Sequence, residues 1–359
     1  MTTSAYIHIP FCKSKCKYCS FISYIEEEKV DSYINALIKE IKSRYNKEKL
    51  KTLYFGGGTP SLLKPNKITK LIKEFNYDKD CEITLEVNPE DATLEYFKKL
   101  YDIGINRISM GAQTFDDNIL KIIGRRHNSK QTIKAVEMAQ NVGFNNISLD
   151  LIYGLPGNYD YKKDLKTITS LNIQHISTYG LKIEENSFFY NNLPQNLPND
   201  DKQADLYLET ISYLETKGYT QYEISNFAQK GYESRHNLNY WNNKYYYGFG
   251  LAAHGYENEI RYSNYETFEE YLKKPNTHKN IHSVTIQEKL EEEIFLGLRK
   301  NKGLNINEIN SQYNIDFENK YCQVITKFTP KYLTKTNTGY KLTTDGILLS
   351  NNILAEFLE

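Results

Sequence analysis

Three cysteines near the start of the chain, Cys12, Cys16 and Cys19, have a spacing that suits an iron–sulfur centre. Three thiolates in one short loop can hold three corners of a cubane cluster, whereas a cage made by protein alone uses four cysteines. The fourth iron would then be open to a ligand that is not protein. The loop therefore favours a reactive site over a structural one.

Two structural explanations compete with this interpretation. Disulfides are disfavoured, because the chain has five cysteines in 359 residues and no signal-peptide pattern at its beginning. A structural zinc site would need Cys81, Cys322 or a histidine as its fourth ligand. Zinc sites usually contain paired Cys-x2-Cys units, and this chain has one such pair. Zinc is therefore the weaker alternative.

The composition argues against several classes of protein. The chain carries 45 basic and 45 acidic residues, so no overall charge attracts it to nucleic acid or to anionic lipid. Its hydrophobic content of 40% is enough for a substantial core. No apolar run approaches the roughly 20 residues of a membrane-spanning helix. We expect a cytoplasmic protein without a transmembrane segment, a prediction that leaves room for transient contact with membrane proteins.

The elements that must position the cysteines form a regular series. Strand-like runs at 5–9, 52–55, 82–87, 107–111, 146–152 and 175–181 alternate with helical patterns, including 30–45, 94–101 and 132–143. Such alternation predicts a parallel sheet with right-handed crossovers. The fold class is α/β, and six units instead of eight predict a partial (β/α)6 barrel that is open on one side.

The pattern changes after about residue 185. We expect a barrel at 1–185, an extension rich in Tyr, Asn and Gly at 186–275, and a C-terminal domain at 285–359. A loop at 191–201, a helix at 205–217 and a linker at 275–283 are also predicted. Helices and a hairpin near 337–339 make the last domain winged-helix-like. Its nine basic and ten acidic residues disfavour nucleic acid binding.

Unusual residues follow the predicted strands, at the face where β/α barrels carry their chemistry. A Gly-Gly-Gly-Thr-Pro turn at 56–60 lets the backbone approach a ligand closely. Glu86, Gln113, Arg125 and Asp150 lie at or just beyond strand ends, where each alone would be a cap or a surface ion pair. Together they suit a ligand with an amine, a carboxylate and a ribose. The planar fork of Arg125 matches a carboxylate, and Glu86 or Asp150 matches sugar hydroxyls.

The cluster loop, the glycine turn and the strand ends together resemble those of radical S-adenosylmethionine proteins. The segments at 6–12, 107–113 and 150–156 resemble the branch that contains oxygen-independent coproporphyrinogen III oxidase and the HemW-type haem chaperones. The resemblance implies a [4Fe-4S] cluster whose open iron binds the methionyl amine and carboxylate of S-adenosylmethionine. It also implies that the cluster donates the electron that cleaves the sulfonium.

The resemblance carries over residue by residue. It implies that Cys12, Cys16 and Cys19 are the cluster ligands. The positions that match cofactor contacts of the oxidase are Tyr6, Tyr18, Gly57, Gly58, Thr59, Glu86, Gln113, Arg125 and Asp150, together with Lys182 and His254.

A segment at 235–241 resembles the His-Asn-x-x-Tyr-Trp motif of the HemW-type proteins. His236 could ligate haem iron, while Tyr240 and Trp241 offer aromatic surfaces to a flat porphyrin. The alternative is a structural histidine in an aromatic cluster, which composition alone favours.

Two features separate the oxidase from the chaperone. The oxidase pattern has a further cysteine two residues after the third, and this chain has Phe21 there. The oxidase also has a longer segment before its cluster, whereas eleven residues precede Cys12. We therefore predict a haem chaperone that passes haem to acceptor haemoproteins such as respiratory enzymes. The alternative is oxidative decarboxylation of coproporphyrinogen III.

Overall fold

The computed structural model describes residues 2–157 and 159–358. The first predicted domain begins at residue 1 and the last ends at residue 359, and these two residues lie outside the described ranges. The strands are β1 (Ser4–Ile9), β2 (Leu50–Gly57), β3 (Tyr77–Val87), β4 (Arg107–Gln113), β5 (Ile147–Tyr153), β6 (His175–Gly180), β7 (Thr220–Glu223), β8 (Asn226–Ala228), β9 (Tyr247–Phe249), β10 (His254–Glu257), β11 (Ile260–Ser263), β12 (Asn280–Ser283), β13 (Leu304–Asn305), β14 (Leu333–Lys335) and β15 (Gly339–Leu342).

The helices lie between these strands, except for the last two, which follow β15. They are α1 (Val30–Arg44), α2 (Pro65–Ile72), α3 (Leu94–Asp102), α4 (Asp117–Ile122), α5 (Ser129–Val142), α6 (Tyr161–Ser170), α7 (Phe188–Asn191), α8 (Asp200–Thr216), α9 (Arg235–Trp241), α10 (Phe268–Lys273), α11 (Ile286–Leu298), α12 (Ile306–Tyr313), α13 (Phe317–Lys320), α14 (Cys322–Phe328), α15 (Thr344–Leu348) and α16 (Ser350–Ala355).

The main sheet confirms the predicted partial barrel. Strands β1 to β6 lie side by side in chain order and pair in parallel. The sheet continues beyond β6 with antiparallel β8 and β7, and beyond β1 with a short parallel strand, β9. Because β1 to β6 are parallel, the loops that follow them lie at one edge of the sheet, which brings the predicted ligand-binding residues together.

The two faces of the sheet differ in chemistry. Side chains alternate between the faces of a strand, and one set, including Ile7, Leu53 and Ile108, is buried in the main hydrophobic core against the helices. The opposite set carries polar groups toward the barrel interior. Tyr6 of β1 stacks on Tyr54 of β2 with 6.1 Å between ring centroids. The helices therefore cover an apolar face, while the inner face provides the hydrogen-bonding groups of the site.

Two local predictions were wrong. Helix α8 begins at Asp200, five residues before the expected start, because the Asn199 side chain accepts a hydrogen bond from Lys202 N at the helix N-terminus. The expected linker at 275–283 contains β12, which pairs with β11 and places Ile281 opposite Tyr262. Both errors concern polar segments whose structure depends on a cap or on a distant strand.

A second hydrophobic core lies in the C-terminal part of the chain. It joins residues of α11 to α16 and the β13–β15–β14 sheet, including Ile294, Phe317 and Leu354. The predicted hairpin is β14 and β15, and the division into three domains stays a prediction. Within residues 2–157 and 159–358, no helix combines the length and the apolar character needed to cross a bilayer.

Helix α1 is tied to the segment after β9 by a buried carboxylate. Glu40 is 0% exposed and accepts hydrogen bonds from Gly250 N at 2.8 Å, Asn264 Nδ2 at 2.7 Å and Tyr271 OH at 2.6 Å. Arg44, one turn later on α1, pairs with the same carboxylate. One side chain therefore satisfies donors from three segments that pack on the edge of the sheet.

Replacing Glu40 by alanine should lower the free energy of unfolding by about 3–5 kcal/mol, because Arg44 and several buried donors would lose their partner. Urea unfolding followed by circular dichroism measures the change. Glu28→Ala, at an exposed position before α1, is the control and should change the free energy of unfolding by less than about 0.5 kcal/mol. Equal effects of the two substitutions would contradict the structural role of Glu40.

Candidate functional site

The cysteine loop follows β1 and is held from three sides. Cys12 N donates to Tyr24 O at 2.9 Å, Lys17 N donates to Ile123 O at 3.0 Å, and Phe189 N donates to Lys17 O at 2.9 Å. These hydrogen bonds connect the loop to the segment at Tyr24 that follows it in the chain, to the end of α4 and to α7. These backbone hydrogen bonds give a short irregular loop a defined shape.

The three cysteines are half-buried, carry free thiols and line one cavity. Burial raises the pKa of the Cys19 thiol. Among the described residues, no three His, Cys, Asp or Glu side chains converge on a single ion position. Cys81 is buried in the middle of β3, and Cys322 is exposed on α14, so neither joins the three loop cysteines. The donor set fits an iron–sulfur cluster, which has several metal atoms, and does not support the zinc alternative.

The glycine turn after β2 lies against the start of the cysteine loop. Gly58 N donates to Ile9 O at 2.9 Å. A Cβ at Gly58 would lie 2.7 Å from Phe11 O, so a side chain cannot be accommodated there. Gly57 has a φ of +114°, which favours glycine. Thr59 Oγ1 then lies 3.4 Å from Cys12 Sγ.

The cavity at this edge of the sheet has a volume of about 520 Å³. The structure brings together most of the predicted contacts along its wall, namely Cys12, Cys16, Tyr18, Cys19, Gly57, Gly58, Thr59, Glu86, Gln113, Arg125, Asp150 and Lys182. A space of this size can hold a nucleoside-sized ligand. The assignment of each residue to a particular ligand atom stays a prediction.

Two carboxyl groups form the inner wall of the cavity. Glu86 accepts hydrogen bonds from Tyr54 OH at 2.8 Å and from Gly57 N at 3.1 Å. Burial, reinforced by the charge of Asp150, raises the pKa of Glu86 to about 7. Burial likewise raises the pKa of Asp150 to about 6, against the opposing effects of Ser177 and Arg107. Both groups can accept hydrogen bonds from ligand hydroxyls when ionised.

Arg125 provides a positive charge on the cavity wall. Its Nη1 lies 3.5 Å from Cys16 Sγ, and its Nη2 donates to Asn88 Oδ1 at 2.8 Å and to Gly111 O at 2.9 Å. Gln113, at the end of β4, has a φ of +66°, and this turn of the backbone leaves its side chain on the cavity wall. The guanidinium therefore lies between the cysteine loop and the strand ends.

Other predicted contacts lie at the margins. Tyr6 does not line the cavity. Its hydroxyl is hydrogen-bonded to His8 Nδ1 at 3.0 Å. Lys182 lies at the rim, with its side chain 78% exposed and paired with Glu184. His254 is exposed on β10, outside the cavity lining.

The aromatic motif lies away from the cysteine loop, near the amino-terminal end of β2. His236 is 1% exposed; its Nδ1 is hydrogen-bonded to Thr52 Oγ1 and its Nε2 to Tyr240 OH, both at 2.8 Å. Its ring stacks on Tyr54 with 4.9 Å between centroids, and burial lowers its pKa to about 3. The cavity lining does not include His236, Tyr240 or Trp241.

Haem iron could reach a ring nitrogen of His236 only after one of these hydrogen bonds breaks. The geometry gives this histidine a packing role, and its role as a haem ligand stays a prediction.

Sequence reasoning missed three residues that complete the site, of which Arg107 is buried and Tyr54 and Asn88 are half-buried. Tyr54 and Arg107 face the barrel interior, where alternation along β2 and β4 could have indicated them. Asn88 links Arg125 to Thr59 through its side-chain amide. Its position at a strand end, directly before Pro89, was the available signal.

Known proteins with similar sequences match nearly the whole chain. The Radical SAM superfamily model matches residues 6–167, and the HemN C-terminal domain model matches residues 284–349. The Heme chaperone HemW of Lactococcus lactis subsp. lactis is 39% identical, over 99% of this chain and 97% of that protein. The Heme chaperone HemW of Bacillus subtilis is also 39% identical, over 99% of both chains.

A solved structure agrees with the fold. Coproporphyrinogen III oxidase (HemN) from Escherichia coli, described as a radical SAM enzyme, has a TM-score of 0.88 with 25% identity, over 99% of this chain and 90% of that chain. The partial barrel and the C-terminal helical module therefore belong to one shared architecture.

Binding of S-adenosylmethionine should strengthen from pH 6 to pH 8. The pKa of Glu86 is raised to about 7, so its carboxyl is mostly protonated at the lower pH and mostly ionised at the higher one. If the ionised form accepts the ribose hydroxyls, affinity should rise about tenfold over this range. Without ligand, the neutral carboxyl stabilises the fold at low pH, and this contribution is lost as pH rises through about 7.

Calorimetric titration of the cluster-loaded chain at both pH values measures the change. Glu86→Gln should remove most of the pH dependence, leaving the smaller effect of Asp150 near pH 6. Glu95→Gln, on the exposed surface of α3, should retain it fully. An unchanged pH dependence in Glu86→Gln would show that another group is responsible.

Proposed function

The chain belongs to the HemW family of heme chaperones, and on this basis we propose that it binds haem and delivers it to acceptor haemoproteins. The observation that carries the proposal is the relationship to two HemW proteins along their whole lengths. Respiratory enzymes are the acceptors we favour, and the cytoplasm is the proposed compartment.

Cys12, Cys16 and Cys19 would hold a [4Fe-4S] cluster, with S-adenosylmethionine beside it in the cavity. When bound, the cluster supplies an electron to the cofactor. Arg125 would orient the methionyl carboxylate through its planar fork. Glu86 and Asp150 would accept the ribose hydroxyls, and both carboxyl groups are half-buried on the wall of the cavity.

The apolar rim of the cavity supports a flat, hydrophobic cargo. Phe21 is 64% exposed and Tyr179 is 43% exposed, and both line the cavity. Exposed aromatic rings of this kind offer surface to a porphyrin. Phe21 also occupies the position where the oxidase pattern has its further cysteine, which disfavours the decarboxylation reaction.

The decisive experiment compares binding and turnover on one anaerobic preparation. Iron and acid-labile sulfide analysis should give about four irons per chain, as for a cubane cluster. Haem titration followed by absorbance should saturate. Incubation with coproporphyrinogen III, S-adenosylmethionine and dithionite should give no decarboxylated product. Catalytic product formation would instead identify the chain as an oxidase, and a zinc-containing preparation without iron would exclude both assignments.

His236→Ala should lower the free energy of unfolding of the haem-free chain by about 1–3 kcal/mol, because the hydroxyls of Thr52 and Tyr240 lose a buried partner. His282→Ala, at an exposed position on β12, is the matched control and should have little effect. Denaturant unfolding measures both changes.

The absorbance spectrum of haem bound to folded His236→Ala tests the second role of this residue. A changed spectrum with weaker binding is expected if His236 is the axial ligand. An unchanged spectrum and affinity would leave the histidine with its packing role alone.

A further inference from the structure

Asn88 lies between the carboxyl end of β3 and Pro89, and all four of its polar groups are used. Its backbone N donates to Ser61 Oγ at 3.1 Å, and its carbonyl accepts from Asp91 N at 3.0 Å. In the side chain, Nδ2 donates to Thr59 Oγ1 at 3.2 Å and Oδ1 accepts from Arg125 Nη2 at 2.8 Å. This many partners fix both the position and the orientation of the amide.

The side-chain partners of Asn88 each reach a different cysteine. Thr59 Oγ1 lies 3.4 Å from Cys12 Sγ, and Arg125 Nη1 lies 3.5 Å from Cys16 Sγ. The series Cys12–Thr59–Asn88–Arg125–Cys16, which we term the Asn88 bridge, therefore connects two thiols through side chains alone. It joins the cysteine loop to the ends of β2 and β3 and to the segment after α4.

The chemistry of the bridge determines the direction of its hydrogen bonds. A guanidinium has donors and no acceptor, so the oxygen of the Asn88 amide must face Arg125 and its nitrogen must face Thr59. The Thr59 hydroxyl then accepts from the amide, and its own proton is free to point toward Cys12 Sγ. Both ends of the bridge consequently present a donor to a cysteine sulfur.

The charge of Arg125 is not neutralised by the bridge. Within the described part of the chain, no carboxylate lies within 4.0 Å of the Arg125 guanidinium, and its nearest side-chain oxygen partner is the neutral Asn88 amide. Hydrogen bonds and positive charge at the sulfurs of an iron–sulfur centre stabilise its reduced form. A neutral residue at position 88 leaves the guanidinium without a carboxylate in contact before S-adenosylmethionine binds. Its Nη1 faces Cys16, while Glu90 and Asp150 act on the charge from farther away.

We propose that Asn88 is a positioning residue for the iron–sulfur cluster, acting through Thr59 and Arg125 to raise the cluster's reduction potential. The proposal rests on the proposed function only in placing a cluster on Cys12, Cys16 and Cys19. Asn88 contacts none of the three thiols itself, and its effect depends on being both a donor and an uncharged acceptor.

Asn88→Asp tests the proposal with little change in shape. The new carboxylate would pair with Arg125 and would accept the Thr59 proton that otherwise points to Cys12. Both changes should disfavour cluster reduction. We expect the reduced-to-oxidised ratio at a fixed potential to fall about tenfold, which corresponds to about 59 mV for a one-electron couple. A dithionite titration monitored by electron paramagnetic resonance measures it.

Asn106→Asp is the matched control. It makes the same charge change just before β4, at the opposite end of the sheet, where the Asn106 amide bridges Cys81 O and Ile83 N. The potential of this variant should equal that of the parent chain. An unchanged potential in Asn88→Asp, or equal shifts in both variants, would overturn the proposal.

If the Asn88→Asp variant does not take up an iron–sulfur cluster, Asn88→Ala provides a second test of the proposal. Loss of the bridge should speed iron release to a chelator several-fold relative to the parent. The potential of the intact fraction should fall by less than in Asn88→Asp, because Arg125 loses its fixed orientation but keeps an unpaired charge. An unchanged rate of iron release would overturn the positioning role. Iron and sulfide analysis of the parent separates this outcome from failure of the proposed function, since a parent without a cluster would refute the latter.

Discussion

The contact between the backbone after β1 and the turn after β2 is the constraint on which the site depends. Gly58 N donates to Ile9 O, and the space beside Gly58 is too small for any side chain. Because β1 and β2 are parallel and in register, this contact places Thr59 against Cys12. A larger residue at Gly58 would separate the cysteine loop from the strand ends that complete its surroundings.

The polar inner face of the sheet is the second determinant of the site. Arg107 is 2% exposed, and within the described residues no carboxylate lies close enough to form an ion pair with it. Its charge nevertheless lowers the pKa of Glu86 and of Asp150, which burial raises. Interactions of this range are effective because the interior screens charge weakly. A buried cation therefore offsets part of the cost of placing two carboxyl groups together.

Much of this arrangement could be predicted, because its signals are local. The alternation of strands and helices predicts the order of β1 to β6, and three closely spaced cysteines predict a cluster loop. The short strands β8, β9 and β12 escaped prediction because each has three or four residues and forms by pairing with a strand fixed elsewhere, and β7 escaped it because it pairs with β8. Long-range pairing of this kind leaves no periodic pattern in the sequence.

Side-chain roles proved harder to predict than elements. Aromatic residues around a histidine are compatible with a haem motif as well as with the packed core that composition favours, and the partners of the His236 nitrogens support the packed core. Asn88 illustrates the same limit, since its importance comes from two residues that lie 29 and 37 positions away in the chain.

Helix α9 is attached to two strands of the sheet by hydrogen bonds that do not involve a ligand. Its first backbone amides, Arg235 N and His236 N, donate to the buried carboxylate of Glu82 on β3 at 3.1 Å and 3.0 Å. The side chain of His236 is hydrogen-bonded to Thr52 of β2. Replacement of His236 should therefore weaken folding whether or not the protein carries a ligand. The His236 side chain would be needed for folding even in a protein that carried no haem, so the motif by itself does not identify a haem ligand.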